Sequence, residues 1–149
     1  MRNKSIQVLF VCSGNSCRSP MAEGLARALA GSLGMDMEFS SAGTLGIEDA
    51  PATPEAIVVA AELGADISNH LSRALNRDIA CAADFIFGME YAHLESVKHI
   101  CERGSRISLL GGKREIPDPI GCDIDFYRTV RDMIWLELQR VLTEIANEK

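Results

Sequence analysis

The sequence predicts an α/β fold in which a doubly wound, four-stranded parallel sheet is covered by helices on both faces. Short apolar runs alternate with helix-like stretches along the chain, and the apolar runs are continuous instead of alternating with polar residues. Strands that are apolar on both sides are typical of a parallel sheet lying between two layers of helices. Because ligands bind such sheets at the carboxyl ends of the strands, a functional site is expected in the loops at that edge.

The first strand and helix enclose the most informative stretch of the chain. A continuous apolar run predicts a buried strand over 6–12, and a helix follows through 21–29 and ends between Gly31 and Gly34. Ser19 is a good N-cap residue for this helix, and Pro20 suits its first turn. The segment between them is therefore a short loop at the carboxyl end of a strand.

The other elements continue the alternation. Apolar runs predict three further strands, over 37–41, 84–89 and 106–110. Helical spacing, together with Pro at a helix start and Gly at a helix end, predicts the other helices, over 54–63, from after 75 to about 81, over 91–100 and from about 123 to 148. A loop rich in Gly and Pro covers 111–123.

Composition limits what the protein can be. A chain of 149 residues with 47% hydrophobic and 24% charged residues is predicted to form one domain over 1–149 with a single substantial core. A net charge of -6 and a pI near 5.0 argue against nucleic acid or a membrane surface as a general partner. No apolar run approaches the roughly 20 residues of a membrane span, and we expect a cytoplasmic location.

The cysteines and histidines do not suggest a cross-linked or metal-bound fold. The five cysteines are an odd set without a repeated C-x-x-C spacing, so we expect neither a disulfide framework nor a zinc site. A reducing compartment is the natural inference. The three histidines are scattered; His93 and His99 are interpreted as exposed on a helix surface.

The loop after the first strand carries the strongest chemical signal. Gly14 can adopt the positive φ that a tight anion-binding loop needs. The N–H groups of such a loop, beside a helix N-terminus, bind a tetrahedral anion. Arg18 adds a planar fork for two phosphate oxygens. The same positive field favours a thiolate at Cys12, a nucleophile aimed at phosphorus, and Ser19 could donate to its sulfur.

Residues 12–20, Cys-Ser-Gly-Asn-Ser-Cys-Arg-Ser-Pro, resemble the signature loop of the low-molecular-weight protein tyrosine phosphatase family. This family also includes bacterial protein arginine phosphatases and thioredoxin-coupled arsenate reductases. The resemblance extends along nearly the whole chain and agrees with a flavodoxin-like strand order. It implies that the loop binds the substrate phosphate through Ser13, Gly14, Asn15, Ser16, Cys17 and Ser19. It also implies a reversible disulfide between Cys17 and Cys12, although Cys17 could equally be a small residue packed beneath the loop.

A general acid and two supporting residues complete the expected site. Asp118 lies between two prolines, which restrict its backbone, and the Asp-Pro pair resembles the general-acid loop of the family. A turn-forming aspartate is the alternative. The resemblance further implies that His70 and Ser41 hydrogen-bond the loop residue Asn15 and hold the loop open.

Two regions of the sequence bear on the substrate. Arsenate reductases of this lineage need a cysteine pair just after the third strand, and residues 87–93 contain no cysteine. Phosphotyrosine enzymes commonly place aromatics after the Asp-Pro pair and a bulky aliphatic residue at the position of Ser16. Here Ile120 follows Pro119, which favours the arginine phosphatases, although those carry Thr for Ser16 and an aromatic for Ile120. Tyr127 and Phe126 could line the pocket instead.

The sequence thus predicts a cysteine-dependent protein phosphatase that forms a phosphocysteine and acts on phosphoarginine or phosphotyrosine of a protein partner, with a slight preference for phosphoarginine. No metal or other cofactor is expected, because Arg18 and the backbone supply the positive charge. Arsenate reduction and a catalytically silent phosphate-binding module are the alternatives.

Overall fold

The computed structural model describes residues 5–102 and 106–148 and shows an α/β fold. In chain order the elements are β1 (Ile6–Cys12), α1 (Arg18–Leu33), β2 (Met37–Gly43), α2 (Pro54–Ala61), α3 (Arg77–Ala82), β3 (Phe85–Gly88), α4 (Tyr91–Ile100), β4 (Ile107–Leu109) and α5 (Ile124–Ala146). The ends of the expected domain, residues 1–4 and 149, lie outside the described residues. In the part of the chain that is described, no helix is both long and apolar enough to cross a membrane.

The sheet has the predicted parallel, doubly wound topology. Its strand order is β2-β1-β3-β4, and every adjacent pair is parallel. The strand order reverses between β1 and β3, so the carboxyl end of β1 is the crevice where ligands bind in such sheets. Cys12 is the last residue of β1.

Side chains of β1 alternate between the two cores. Val8 and Phe10 pack in one apolar cluster with residues of α1, α2 and α5. Leu9 and Val11 pack in a second cluster with residues of α3 and α4. Because successive side chains of a strand point to opposite faces, both faces of β1 are buried, as its continuous apolar run predicted.

Among the predicted element boundaries, two next to the site were wrong. Strand β2 continues past Ser41 to Gly43, because it pairs with β1 as far as Cys12. Helix α1 already begins at Arg18, with Cys17 and not Ser19 at the N-cap position. The Ser19 hydroxyl does not cap the helix; it lies against the Cys12 sulfur.

The expectation of no structural disulfide was also wrong. Cys81 and Cys101 form a disulfide with their Cα atoms 5.8 Å apart. Cys81 lies on α3 before β3 begins, and Cys101 follows α4 as the chain returns to begin β4. Both therefore lie at the amino-terminal edge of the sheet, opposite Cys12. Their separation of 20 residues has no recognisable spacing, so only the topology brings them together.

The disulfide predicts the outcome of a peptide map. If the unreduced protein is alkylated, unfolded and digested, mass spectrometry should find one cross-linked species that contains both Cys81 and Cys101. Cys122, which is free and exposed, should be alkylated in the same sample and serves as the internal control. Recovery of Cys81 and Cys101 as alkylated peptides would contradict the cross-link.

Candidate active site

A small cavity lies at the carboxyl end of β1. Its volume is about 160 Å³. The loop between β1 and α1 forms its floor, and residues of two other loops form its rim; the lining residues are Cys12, Ser13, Gly14, Ser16, Cys17, Arg18, Leu45, Ile47, Asp118 and Ile120. The structure therefore brings the predicted acid, Asp118, to the predicted nucleophile and arginine, from which it is distant in the sequence.

The hydrogen bonds around Cys12 have a defined direction. The Asn15 Oδ1 accepts a bond from the Arg73 N–H at 3.0 Å, so its other terminal atom is the Nδ2 amide, which donates to Ser19 Oγ at 2.7 Å. Since Ser19 accepts that bond, its own proton can be given to Cys12 Sγ, 2.9 Å away. Ser19 therefore offers the Cys12 sulfur a hydrogen-bond donor.

Asn15 has a left-handed backbone, with a φ of 54°, in the middle of the loop. This conformation is unfavourable for a residue with a side chain and persists only where its surroundings hold it. His70 Nε2 donates to the Asn15 carbonyl at 2.9 Å, and Asn15 Nδ2 also lies 3.0 Å from Ser41 Oγ. Ser41 in turn donates to Glu23 Oε1. The predicted supports Ser41 and His70 thus both contact Asn15.

Gly43 allows the loop between β1 and α1 to pack closely against the end of β2. A Cβ built on Gly43 would lie 2.7 Å from the Ser13 carbonyl oxygen and 3.0 Å from the backbone N of Asn15. These are backbone atoms of the cradle, so no side-chain rearrangement could relieve the clash. Only glycine at the end of β2 lets the loop lie in this position.

Arg18 is almost completely buried, with 2% of its surface exposed. Its Nη1 binds Glu90 Oε2 at 2.5 Å and the Ile116 carbonyl at 2.8 Å. Its Nη2 lies 3.6 Å from Asp118 Oδ2. A buried guanidinium paired on one side by a carboxylate is fixed in orientation, so its other donors form a rigid cationic wall of the cavity.

Asp118 lies on the rim with its side chain 42% exposed. Its Oδ1 accepts the Ile120 N–H at 3.1 Å, which is the turn geometry that the alternative interpretation predicted. Its Oδ2 is the oxygen near Arg18. The turn and the acid are therefore compatible, because one carboxylate oxygen makes the turn while the other reaches the cavity.

Cys17 lies beneath the loop. It is buried and free, and its Sγ contacts Thr53 Oγ1 at 3.5 Å and the Tyr127 hydroxyl at 3.4 Å. Burial of the Tyr127 hydroxyl, together with its hydrogen bond to Cys17, raises the pKa of Tyr127 to about 12. Tyr127 is only 1% exposed and Phe126 packs against the core, so neither aromatic lines the cavity.

The interpretation of His93 as a surface residue was wrong. His93 is 2% exposed, and its Nε2 lies 2.9 Å from Ser13 Oγ in the loop. Its position three residues after Glu90, at the start of a helix, is the spacing of a capping box and could have indicated a buried role. His99 is exposed, as expected.

The sequence did not reveal Glu23, Arg73 or Glu90 as parts of the site. Each acts on another residue of the cradle rather than on the cavity. Within residues 5–102 and 106–148, no group of three or more His, Cys, Asp or Glu side chains is arranged to hold a metal ion. The site contains a thiol, an arginine, a carboxylic acid and a cradle of backbone amides.

Comparison with known proteins gives one consistent result. A family model described as low molecular weight phosphotyrosine protein phosphatase matches residues 7–149. The protein-arginine-phosphatase of Bacillus subtilis (strain 168) is 31% identical over 149 residues, covering 96% of each chain. A low molecular weight protein tyrosine phosphatase from T. tengcongensis superimposes with a TM-score of 0.89 at 34% identity, over 94% of this chain and 99% of that one.

A second solved structure shows a modified active site. It is the YwlE arginine phosphatase, in a mutant form with a phosphorylated active-site serine. It superimposes on this chain with a TM-score of 0.90 at 27% identity, covering 97% of this chain and 98% of that one.

Proposed function

Because the chain belongs to the low-molecular-weight phosphotyrosine protein phosphatase family, we propose that it removes phosphate from arginine side chains of proteins through a phosphocysteine at Cys12. We choose phosphoarginine as the substrate because of the residues that surround the cavity. Leu45, Ile47 and Ile120 form the apolar part of its rim, above Ser16 of the floor, and among the residues that the structure describes no aromatic side chain lines the cavity.

The geometry supports a two-step reaction. The Cys12 thiolate attacks phosphorus in line, so a sulfur–phosphorus bond forms while the bond to the leaving nitrogen breaks. The loop amides and Arg18 hold the three equatorial oxygens, and Asp118 gives its proton to the leaving group. Asp118 then accepts a proton from water, which attacks phosphorus and releases inorganic phosphate. Ser19 stabilises the thiolate before the attack and again as it departs.

The YwlE structure supports the phosphoenzyme step. In that protein a serine in the active site carries a phosphoryl group. The corresponding phosphoryl acceptor in this chain would be Cys12, a nucleophilic residue at the end of β1 that lines the cavity. We therefore place the covalent intermediate at this residue.

The rim favours a guanidinium over a phenol for a physical reason. A phenyl ring gains most where aromatic side chains stack on its faces, and the apolar side chains described at this rim are aliphatic. A phosphorylated guanidinium is flat and rich in N–H donors, so it gains from aliphatic walls with the Asp118 carboxylate and the Ser16 hydroxyl beside them. The Bacillus subtilis relative, named an arginine phosphatase, matches over almost the full chain.

Arsenate reduction is the weaker alternative. It needs further thiols that can carry electrons away from Cys12. Cys81 and Cys101 are joined to each other at the opposite edge of the sheet. No observation favours a silent phosphate-binding module, since nucleophile, arginine and acid meet in one cavity. The single domain and the cytoplasmic location stay predictions.

The proposal is tested by kcat/KM for phosphoarginine and phosphotyrosine peptides of matched sequence, with Cys12→Ser as the blank. We expect a preference for phosphoarginine of at least about tenfold, since a well-placed polar contact contributes about 1.5–3 kcal/mol. Ser16→Ile should lower this ratio by removing the hydroxyl from the wall. Ser108→Ile, an equal change at an exposed position of β4, should leave the ratio unchanged.

Three results would count against the proposal. A preference for phosphotyrosine would show that aliphatic walls suffice for a phenol. Rapid arsenate reduction with thioredoxin would revive the reductase. Stoichiometric phosphate binding without turnover would leave a binding module.

A further inference from the structure

His93 connects the start of helix α4 to the phosphate loop. Its Nδ1 accepts the backbone N–H of Glu90 at 3.0 Å, and its Nε2 lies 2.9 Å from Ser13 Oγ. The imidazole is buried between the two. Ser13 lines the cavity next to Cys12, so His93 lies directly behind a residue that faces the substrate.

The two hydrogen bonds fix the tautomer of His93. A backbone N–H can only donate, so Nδ1 is an acceptor and carries no proton. The single proton of a neutral imidazole is then on Nε2, and Nε2–H donates to Ser13 Oγ. Because Ser13 Oγ receives this bond, the proton of its own hydroxyl is free to be donated elsewhere.

Burial keeps the His93 ring neutral at physiological pH. Burial is the largest influence and lowers its pKa from the usual 6.5, and the Arg18 guanidinium lowers it further. The carboxylates of Glu90, Asp118 and Glu115 act in the opposite direction but do not reverse the shift. A neutral ring keeps the acceptor at Nδ1 and therefore the tautomer deduced above.

We propose that His93 is a positioning residue that turns the Ser13 hydroxyl toward the cavity, where it donates a hydrogen bond to the phosphoryl group bound over Cys12. Ser13 then adds a side-chain donor to the backbone amides and Arg18. The proposal rests on the proposed function only in assuming that the cavity binds a tetrahedral oxyanion. It assigns a role to a histidine that never contacts the substrate.

Oxyanion affinity tests the proposal without turnover. Sulfate is the probe, because it is a tetrahedral dianion that does not titrate near neutral pH. Its Kd is measured by NMR titration in a Cys12→Ser background at pH about 7.5, above the ordinary histidine pKa of about 6.5. In this background we expect Ser13→Ala and His93→Leu each to weaken sulfate binding about tenfold, as for a lost bond to a charged group.

Two further variants separate positioning from packing. His93→Gln keeps an acceptor for the Glu90 N–H and a donor for Ser13, as glutamine does in a capping box, and should restore binding to within about twofold of the parent. The combination Ser13→Ala with His93→Leu should bind sulfate about tenfold, not a hundredfold, more weakly than the parent, since both changes remove one interaction. Ser96→Ala and His99→Leu, farther along α4, are the matched controls and should bind as the parent does.

A spectroscopic measurement checks the tautomer itself. Long-range ¹H–¹⁵N correlation spectra should show a protonated Nε2 and an unprotonated Nδ1 for His93. A Ser13→Ala variant with unchanged sulfate affinity, additive losses in the combined variant, or the opposite tautomer would each overturn the proposal.

The two proposals can fail separately. If the variants bind sulfate as expected but no phosphorylated peptide is hydrolysed, the role of His93 is supported and the proposed function is wrong. If phosphoarginine peptides are hydrolysed while all variants bind sulfate equally, only the role of His93 falls.

Discussion

Replacing Cys12 by serine is expected to lower kcat by a factor on the order of 10⁴ to 10⁶, the size of effect seen when an enzyme loses its nucleophile. In the proposed mechanism Cys12 attacks as a thiolate, to which Ser19 can donate a hydrogen bond while Arg18 supplies positive charge beside it. A serine hydroxyl is far less acidic than a thiol, so the same surroundings cannot ionise it. Steady-state hydrolysis of a phosphoarginine peptide measures the loss.

The loss should be confined to chemistry. The hydrogen bonds of Asn15 that shape the loop do not involve the Cys12 sulfur, so Cys12→Ser should keep the parent's melting temperature and still bind sulfate. Cys122→Ser makes the same chemical change at an exposed free thiol and should retain full activity. Turnover by Cys12→Ser within tenfold of the parent would rule out a phosphocysteine.

The sequence could predict the fold and the reacting groups because both depend on local pattern. Continuous apolar runs specified buried parallel strands, and the order of Cys12, Gly14 and Arg18 after a strand indicated an anion cradle. Asp118 could be singled out because prolines flank it and because its Asp-Pro pair resembles the general-acid loop of the family. In each case the signal lies within a few residues of the chain, where spacing and residue type are informative.

The supports of the site other than Ser41 and His70, which the family resemblance implied, could not be predicted, because they come from distant segments. Gly43 is needed only because β2 pairs with β1 as far as Cys12, which brings it against the loop. Arg73 contributes a backbone N–H to Asn15, a role that any residue except proline could perform. His93 reaches Ser13 across 80 residues of sequence. The Cys81–Cys101 disulfide likewise depends on the topology of α3 and α4.

The acid loop shows how such supports act on the chemistry. Arg18 Nη1 binds the Ile116 carbonyl, and the Ile116 N–H binds the Met89 carbonyl after β3. The residue two positions before Asp118 is thus held by the same guanidinium that lines the phosphate site. Since prolines restrict the backbone on both sides of Asp118, a carboxyl in an otherwise exposed loop is fixed at the rim.

Asp118→Asn should therefore lower kcat/KM by about 10²–10⁴-fold on substrates with poor leaving groups, the usual contribution of a general acid. The amide keeps the turn, because its oxygen can still accept the Ile120 N–H, but it has no proton to give. The kcat/KM for 2,4-dinitrophenyl phosphate should fall much less, since that leaving group departs without protonation and kcat/KM covers only the steps up to formation of the phosphocysteine, before Asp118 acts as a base. The measurement compares the loss that Asp118→Asn causes on the two substrates at equal enzyme concentration.

The dependence on leaving group separates acid catalysis from electrostatics. Asp118 lies near Arg18, so removing its charge alone could alter phosphate binding. That effect would lower kcat/KM for both substrates equally, whereas a missing proton donor lowers kcat/KM for the poor leaving group far more than for 2,4-dinitrophenyl phosphate. Asp125→Asn removes the same charge from an exposed position on α5 and should change neither. Equal losses on the two substrates would show that Asp118 binds or orients the phosphoryl group without protonating the leaving group, and another proton donor would then have to be sought at the rim.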